Sequence, residues 1–435
     1  MLRKLFYEPT PQNEKDYADG RRLYIVAESA NALINELAGG TFLVAVLSTI
    51  QITDGMSGFI RSCGTIAMLF QLLTMIHVQK MKKKKLFMFL CALQKIWFGI
   101  LFFIPTMNWK VQTKCILVIL IYFHGQITSQ LANPARINLI ADLVPENIRG
   151  TYFGKKDSIS VFVTYVTVFF AGILFDHTNK NNINAGFQIF GSILILLAII
   201  DAVAIAFIKE PENLTVAQKE RVYLWKEIID AFKHKGFQEA LILNGIWTAA
   251  VYFTVPFNAS YQIKELGLSY TYITAIGLAT MLLRAYLMPR LGKVVDKIGN
   301  ETMLIHLFSI MGFHYVVMMF TVPENGKVFF VIASLLSAIA HGFISQGLLG
   351  IQLKVLDERK RTIQYSILSA ASGTIGFAVS VVAARLLEML QSMELAVGTR
   401  KLYAQQFMNL LGLIFILINI GYLLMRVDKA KTGCI

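Results

Sequence analysis

Charged residues are scarce in this 435-residue chain: only 16% are Asp, Glu, Lys or Arg, and 55% are hydrophobic. A soluble domain carries roughly 25% charged residues. The shortage excludes an ordinary soluble fold, since apolar stretches recur from end to end with only short polar breaks. A membrane-spanning helix needs about 20 apolar residues. We therefore expect an integral membrane protein.

Cysteines and catalytic motifs are also sparse. The four cysteines show no metal-ligand spacing, and three of them lie in or beside apolar segments, where small packing residues are expected. No HExxH or GxSxG motif and no convincing catalytic pair is visible, and no Walker motif is present. We expect no enzyme, no cofactor and no nucleotide hydrolysis. Residues 1–22 are polar and mixed in charge, so no cleavable signal peptide is expected.

Twelve apolar segments can be counted, which predicts an all-α membrane protein with 12 transmembrane helices. The spans are estimated at 24–50, 56–79, 86–106, 114–138, 157–175, 186–207, 238–262, 271–290, 302–322, 327–352, 364–387 and 404–425. Spans 1 and 10 are the least uniform, because span 1 holds two glutamates and span 10 is interrupted by glycine and His341.

Basic residues alternate between the loops. With the N-terminus placed in the cytoplasm, the inner segments hold 29 Lys and Arg, and the outer loops with their edges hold 7. Cytoplasmic loops carry this excess in membrane proteins. The net charge of +14 therefore reads as topology rather than nucleic-acid binding. We predict both termini inside, with the lysine run at 80–85 as an orientation anchor or a site for anionic lipid.

A long polar stretch divides the chain into six spans plus six. We predict an N-terminal six-helix bundle at 1–207, a cytoplasmic linker at 208–237 and a C-terminal six-helix bundle at 238–435. Within the linker, Val222, Trp225, Ile229 and Phe232 share one helical face. This pattern is typical of an amphipathic helix on a membrane surface, although it could also bind a partner.

The two halves repeat a motif weakly. Glu146-x-x-Arg149 follows span 4 and Glu358-x-x-Arg361 follows span 10, and a tyrosine comes soon after each. The loop between spans 8 and 9 reads Gly292-Lys-Val-Val-Asp296-Lys-Ile-Gly299. Parallel six-helix repeats are a known transporter architecture.

Over its whole length the chain resembles the major facilitator superfamily. The six-plus-six layout and the G-x-x-x-D-x-x-G pattern of Gly292, Asp296 and Gly299 carry this resemblance, whereas the matching loop at 80–85 lacks the glycine and the aspartate. The resemblance implies that Glu146, Arg149, Asp296, Glu358 and Arg361 form gating ion pairs. Helix capping is the alternative and compatible reading.

The resemblance also implies that spans 1, 4, 7 and 10 line a central cavity, and polar side chains inside a bilayer are functional by default. In span 1, Glu28, Asn31, Asn35 and Glu36 share one face. We expect Glu36, near the midplane, to take a proton or contact the solute, because burial favours a neutral carboxyl. A structural hydrogen bond to another helix is the alternative.

Span 4 carries a second polar face. Its residues are Gln126, Ser129, Gln130 and Asn133, with Arg136 closer to the cytoplasm. Amides and hydroxyls suit a neutral polar ligand, and they also bond one helix to another. Arg136 is expected either to snorkel to the interface or to pair with Glu28.

Spans 7 and 10 supply aromatic and titratable groups. Their candidates are Asn244, Trp247, Tyr252, His341 and Ser345. Trp247 and Tyr252 could stack on a ligand or simply pack. His341 could bind a ligand or a proton, or be a packed histidine. Outside these spans, Lys95 needs an acidic partner and Glu36 is nearest in depth, whereas Asp201 has no evident partner.

These features predict a secondary active transporter that works by alternating access as a symporter or antiporter. A proton is the favoured coupling ion, sodium is possible, and a polar solute such as a sugar or glycoside is favoured. A proton-coupled exporter of amphipathic drugs and a non-transporting receptor or scaffold are the alternatives. The composition favours a bacterial cell membrane, and the resemblance implies a monomer.

Overall fold

A computed structural model describes residue 6 and residues 10–81, 83–145, 148–211, 224–357, 360–393, 396–397 and 400–431. The described part of the chain is almost entirely helical. In chain order its helices are α1 (Glu14–Gly39), α2 (Thr41–Thr49), α3 (Asp54–Lys80), α4 (Lys85–Gln94), α5 (Ile96–Phe103), α6 (Val111–Leu143), α7 (Arg149–Asn181), α8 (Ile183–Phe207), α9 (Leu224–Lys233), α10 (Lys235–Ser260), α11 (Tyr270–Ile298), α12 (Asn300–Met319), α13 (Gly326–Val355), α14 (Arg361–Ser392) and α15 (Ala404–Lys431).

Short irregular elements complete the fold. A 3₁₀ turn, Ile104–Thr106, follows α5, and a π-helical turn, Tyr261–Glu265, extends α10. Two-residue strands β1 (Ala396–Val397) and β2 (Arg400–Lys401) pair antiparallel, with Ala396 opposite Lys401.

The predicted all-α membrane fold is confirmed. Eleven helical stretches among the described residues are long and apolar enough to cross a membrane. They coincide with the predicted spans except the eighth, where α11 is helical as well but is not among the eleven. Two predicted spans are divided, because span 1 breaks at Gly40 between α1 and α2, and span 3 breaks at Lys95 between α4 and α5.

The chain divides into two compact units. Unit 1 comprises Met1–Ile52 and Ala67–Val222, and unit 2 comprises Thr53–Ile66 and Tyr223–Ile435. The start of α3 therefore belongs to unit 2. The predicted boundaries at 207 and 238 stay a prediction.

Unit 1 is held together by α8, which packs against α1, α4 and α5. Small residues allow these helices to approach closely. Gly99 of α5 and Gly191 of α8 face each other, and a Cβ added at Gly99 would lie 2.6 Å from the Gly191 carbonyl oxygen. Close contacts through small residues are a common basis of helix association within membranes.

Unit 2 packs around α10 and α12, which contact α13, α14 and α15. Its main core includes Trp247, Phe308, Tyr315 and Phe343, all buried. At the start of α3, Asp54 pairs with Lys264 at 2.6 Å and accepts a hydrogen bond from Gln391 at 3.1 Å. Thr53 bonds Glu388.

The predicted amphipathic helix of the linker is present as α9, although Val222 lies outside the described residues. Ala231 is buried against Phe237, Ala240 and Leu356. The side chains of Trp225, Ile229 and Phe232 are exposed. The helix therefore packs on the rest of unit 2 through Ala231, and the face that carries Trp225, Ile229 and Phe232 is exposed.

Candidate functional site

The interior of unit 1 contains a cluster of charged side chains that begins at Lys95. Lys95 lies at the turn between α4 and α5, where its backbone N–H donates to the Ala92 carbonyl at 3.1 Å. Its side chain is buried, and its ammonium donates to Asp201 of α8 at 3.0 Å and to Asn31 of α1. The prediction that Lys95 pairs with Glu36 was therefore wrong. Its acidic partner is Asp201, for which the sequence indicated no partner.

Arg136 of α6 completes the cluster. One terminal nitrogen, Nη2, lies 2.5 and 2.6 Å from the two oxygens of Asp201. The other, Nη1, lies 3.4 Å from Glu28 of α1. Of the two expectations for Arg136, pairing with Glu28 is correct and snorkelling is not, since the side chain is buried. Two cations and two carboxylates from four predicted spans thus meet inside one bundle.

Because these four side chains lie inside the bundle, their positive and negative charges must compensate one another. Removing charges from water costs several kcal/mol per ion, and only well-placed partners offset that cost. Asp201 is fully buried and bonds both cations, so it is the common partner of the cluster. We name Glu28, Lys95, Arg136 and Asp201 the unit 1 charge cluster.

Among the residues that the structure describes, two buried polar atoms on α6 have no hydrogen-bond partner: Nε of Arg136 and the hydroxyl oxygen of Ser129. These residues are seven apart and lie on one helical face, about 10 Å from each other along the axis. Unsatisfied buried polar groups are rare in proteins and require an explanation. Pro134 lies between them inside the helix and removes one backbone donor from the same region.

The remaining candidates of spans 1 and 4 lie outside the cluster. Asn35 and Glu36 are exposed in the last turn of α1, just before the break at Gly40. Gln126 and Gln130 are half-buried. Asn133 donates weakly to Gln71 of α3 at 3.5 Å. Their roles stay predictions.

In unit 2 the predicted residues form pairs rather than one cluster. Asn244 donates to Ser372 of α14 at 2.6 Å, which is a bond between helices. The ring of Trp247 lies 5.2 Å from the ring of His341. Ser345 donates to the His341 carbonyl of its own helix, and Tyr252 is half-buried beside Gly376.

Several predicted gating residues fall on parts of the chain that are not described. Glu146 and Glu358 lie outside the described residues, and so do the side chains of Arg149, Asp296 and Arg361. Gly292 lies within α11. Gly299 joins α11 to α12 with a φ of 80°, a conformation that favours glycine.

A second group of contacts between charged residues lies where the loop between α3 and α4 meets the start of α4. Glu210, fully buried, accepts the backbone N–H of Lys84 at 2.7 Å and that of Lys85 at 2.9 Å, so it caps the start of α4. The ammonium of Lys84 pairs with Asp142 at 2.9 Å. Burial raises the pKa of the Glu210 carboxyl, although these backbone donors oppose the shift.

These contacts correct the interpretation of the lysine run. The side chains of Lys84 and Lys85 are buried, so the anionic-lipid alternative does not hold for them. Nothing in the sequence indicated the roles of Glu210 and Asp142. For Lys95, estimated depth favoured Glu36 as the partner, and depth does not say which spans are neighbours. The packing of α8 on α4 and α5 decides for Asp201.

A sequence model of the Major Facilitator Superfamily matches residues 25–381. The chain belongs to the Major Facilitator Superfamily. It is therefore a multi-pass membrane protein of a transporter family rather than an enzyme. No curated protein matches the chain.

Three solved structures with the same fold are distant from this chain in sequence. A bacterial homologue of the iron transporter ferroportin, inward-facing, is 12% identical with a TM-score of 0.66, covering 95% of this chain and 99% of that one. The nucleoside transporter NupG is 13% identical with a TM-score of 0.64, covering 94% and 98%. A POT family transporter in complex with 5-aminolevulinic acid is 11% identical with a TM-score of 0.64, covering 96% of each chain.

Proposed function

We propose that the protein is a proton-coupled secondary active transporter that carries a small polar solute by alternating access. The family supports the transporter class. The observation that best supports a polar solute is the unit 1 charge cluster. Burying four ionisable side chains inside a bundle costs free energy, so such groups usually have a function. A nucleoside transporter and a transporter in complex with 5-aminolevulinic acid, both of the same fold, further support a polar solute.

Proton coupling is assigned to Glu36. Its side chain is exposed in the last turn of α1, beside the helix break at Gly40. A carboxyl at this depth can alternate between a charged and a neutral form as its surroundings change from wet to dry. The break gives α1 a place to bend as those surroundings change.

The orientation and the gates belong to the same proposal. The distribution of basic residues favours both termini in the cytoplasm. The composition favours a location in a bacterial cell membrane. The two Glu-x-x-Arg loops, with Gly292, Asp296 and Gly299, are proposed to close the inner side through ion pairs. A monomer is sufficient, since each chain supplies both six-helix repeats.

Drug export is the second candidate, because an acid in span 1 paired with a basic residue in span 4 resembles drug/proton antiporters. The Glu28–Arg136 contact at 3.4 Å supplies such a pair. The two functions share a coupling ion and differ in the solute.

Uptake by purified protein in lipid vesicles tests the proposal. A panel of polar solutes and amphipathic cations is offered under an imposed pH gradient, with and without a protonophore. We expect one polar class to accumulate and the protonophore to abolish its accumulation. Accumulation that survives collapse of the gradient would exclude proton coupling, and selective movement of amphipathic cations would favour export.

A further inference from the structure

The unit 1 charge cluster is unevenly buried. Lys95, Arg136 and Asp201 are inaccessible, and together they carry one excess positive charge. Glu28 restores neutrality, but 26% of its side chain is exposed, against 6% for that of Arg136. The negative charge that balances the buried core therefore lies at its exposed edge.

The contacts that Arg136 makes with the two carboxylates also differ in length. Asp201 takes Nη2 at 2.5 and 2.6 Å, whereas Glu28 is 3.4 Å from Nη1, and Nε has no partner. Charge-assisted bonds between nitrogen and oxygen are normally about 2.7–2.9 Å. A guanidinium presents its donors in a planar fork that suits two oxygens of one anion. Of the two carboxylate contacts of Arg136, the one from Nη1 to Glu28 is thus the weaker.

The neighbourhood offers more polar groups for a ligand. Ser129 on the same face of α6 has a buried hydroxyl without a partner. Tyr24 of α1 donates to the Arg136 carbonyl at 3.3 Å, and Ser29 bonds Ser160 of α7 at 3.0 Å beside Glu28. A solute with an anionic end and a polar body would match this arrangement.

We propose that Arg136 binds a carboxylate or phosphate group of the transported solute at the place that Glu28 occupies in this structure. The inference rests on the proposed transport function and narrows the polar solute to an anionic one. The solute anion replaces Glu28 as the second partner of Arg136. Asp201 stays paired with Lys95 and with Nη2 of Arg136 throughout, and the solute anion supplies the second negative charge.

A binding screen with matched probes tests this proposal on the full chain in lipid nanodiscs. Each pair is an anion with its neutral match: acetate and acetamide, glucuronate and glucose, and glycerol 3-phosphate and glycerol. Inorganic phosphate is tested as well, without a neutral match. Thermal unfolding is followed at constant ionic strength. We expect at least one anion to stabilise the protein and its neutral match to have no effect. The carboxylates and phosphates distinguish the two kinds of anionic group.

Glu28→Gln provides the sharper test, since it removes the competing carboxylate and keeps the shape. We expect the anion to bind about tenfold more tightly, which equals about 1.4 kcal/mol. Glu14→Gln makes the same chemical change on the same helix at an exposed pair with Arg21, and should leave affinity unchanged. If Glu28→Gln fails to fold, the wild-type screen decides alone.

The outcomes separate this inference from the proposed function. If each anion is no better than its neutral match, or if Glu28→Gln binds the anion no more tightly, the anion site is wrong. Should a neutral sugar then accumulate in vesicles, the transport proposal would still hold. If no solute of any kind is carried, the transport proposal itself fails.

Discussion

Asp201 is the residue at which the buried charges of unit 1 meet. It accepts from both Lys95 and Arg136, and the side chains of all three residues are buried. Glu28, in contrast, contributes one long contact at the edge. The two carboxylates should therefore have different roles: Asp201 stabilises the bundle, and Glu28 can be replaced by the anionic group of a solute.

Asp201→Asn should destabilise the protein by about 3–5 kcal/mol, the usual cost of leaving a buried charge without its partner. Thermal unfolding in detergent, followed by gel filtration, measures the loss. Asp19→Asn is the matched control, because it breaks an exposed pair with Arg22 at 3.6 Å and should change stability by less than about 1 kcal/mol. Equal stability of the two variants would remove Asp201 from its central position.

The charged residues also show how far sequence reasoning reaches. The Glu28–Arg136 contact was predictable from their similar depth in spans 1 and 4. The Lys95–Asp201 pair was not, since depth does not say which spans are neighbours. Glu210 lay in a polar linker, where nothing in its sequence context marks a carboxylate that caps a distant helix.

Among the elements, α5 and α8 illustrate packing that the sequence hides. Gly99 and Gly191 let the two backbones approach, and a Cβ at either glycine would overlap the other's carbonyl. The apolar lengths of both spans were evident beforehand. Their contact was not, because glycines are common in membrane helices and only the fold shows which two meet.

Gly99→Ala should destabilise unit 1 by about 1–3 kcal/mol, since overpacking forces the helices apart. Thermal unfolding measures the effect. Gly154→Ala in α7 is the control, because nothing lies within 4 Å of the added carbon there. A neutral Gly99→Ala would show that the α5–α8 contact is looser than described.

The linker helix α9 presents Trp225, which is 77% exposed, with Ile229 and Phe232 on the same face. Glu227 and Asp230 hold it to Lys360 through contacts of 2.9 and 3.6 Å, and these carboxylates raise the pKa of Lys360. A helix held in this way, with lysines beside an aromatic face, suits the membrane interface.

We therefore expect Trp225 to lie among lipid headgroups. Quenching of tryptophan fluorescence by brominated lipids should be weaker in Trp225→Phe than in the wild type, by the share of one interfacial tryptophan. Trp247→Phe is the control, because Trp247 is buried in unit 2. If water-soluble acrylamide quenches Trp225 and brominated lipid does not, the helix faces water instead.

For the whole molecule, composition and charge distribution were sufficient to predict the fold. Every predicted span is helical in the structure, and the family assignment agrees with the loop motif at 292–299. The helix breaks at Gly40 and Lys95 were not predicted, since an apolar stretch reads the same whether its helix is continuous or bent. The solute stays open for a related reason: it depends on a few polar contacts, not on hydropathy.

We propose that solute movement and proton movement are coupled in this chain through Glu36. To test this, internal pH in vesicles is followed with a trapped dye when the transported solute is added outside without any imposed gradient. We expect a solute-dependent pH change that Glu36→Gln abolishes while downhill solute exchange continues. A pH that stays constant during solute uptake by the wild type, or an unchanged signal in Glu36→Gln, would contradict it.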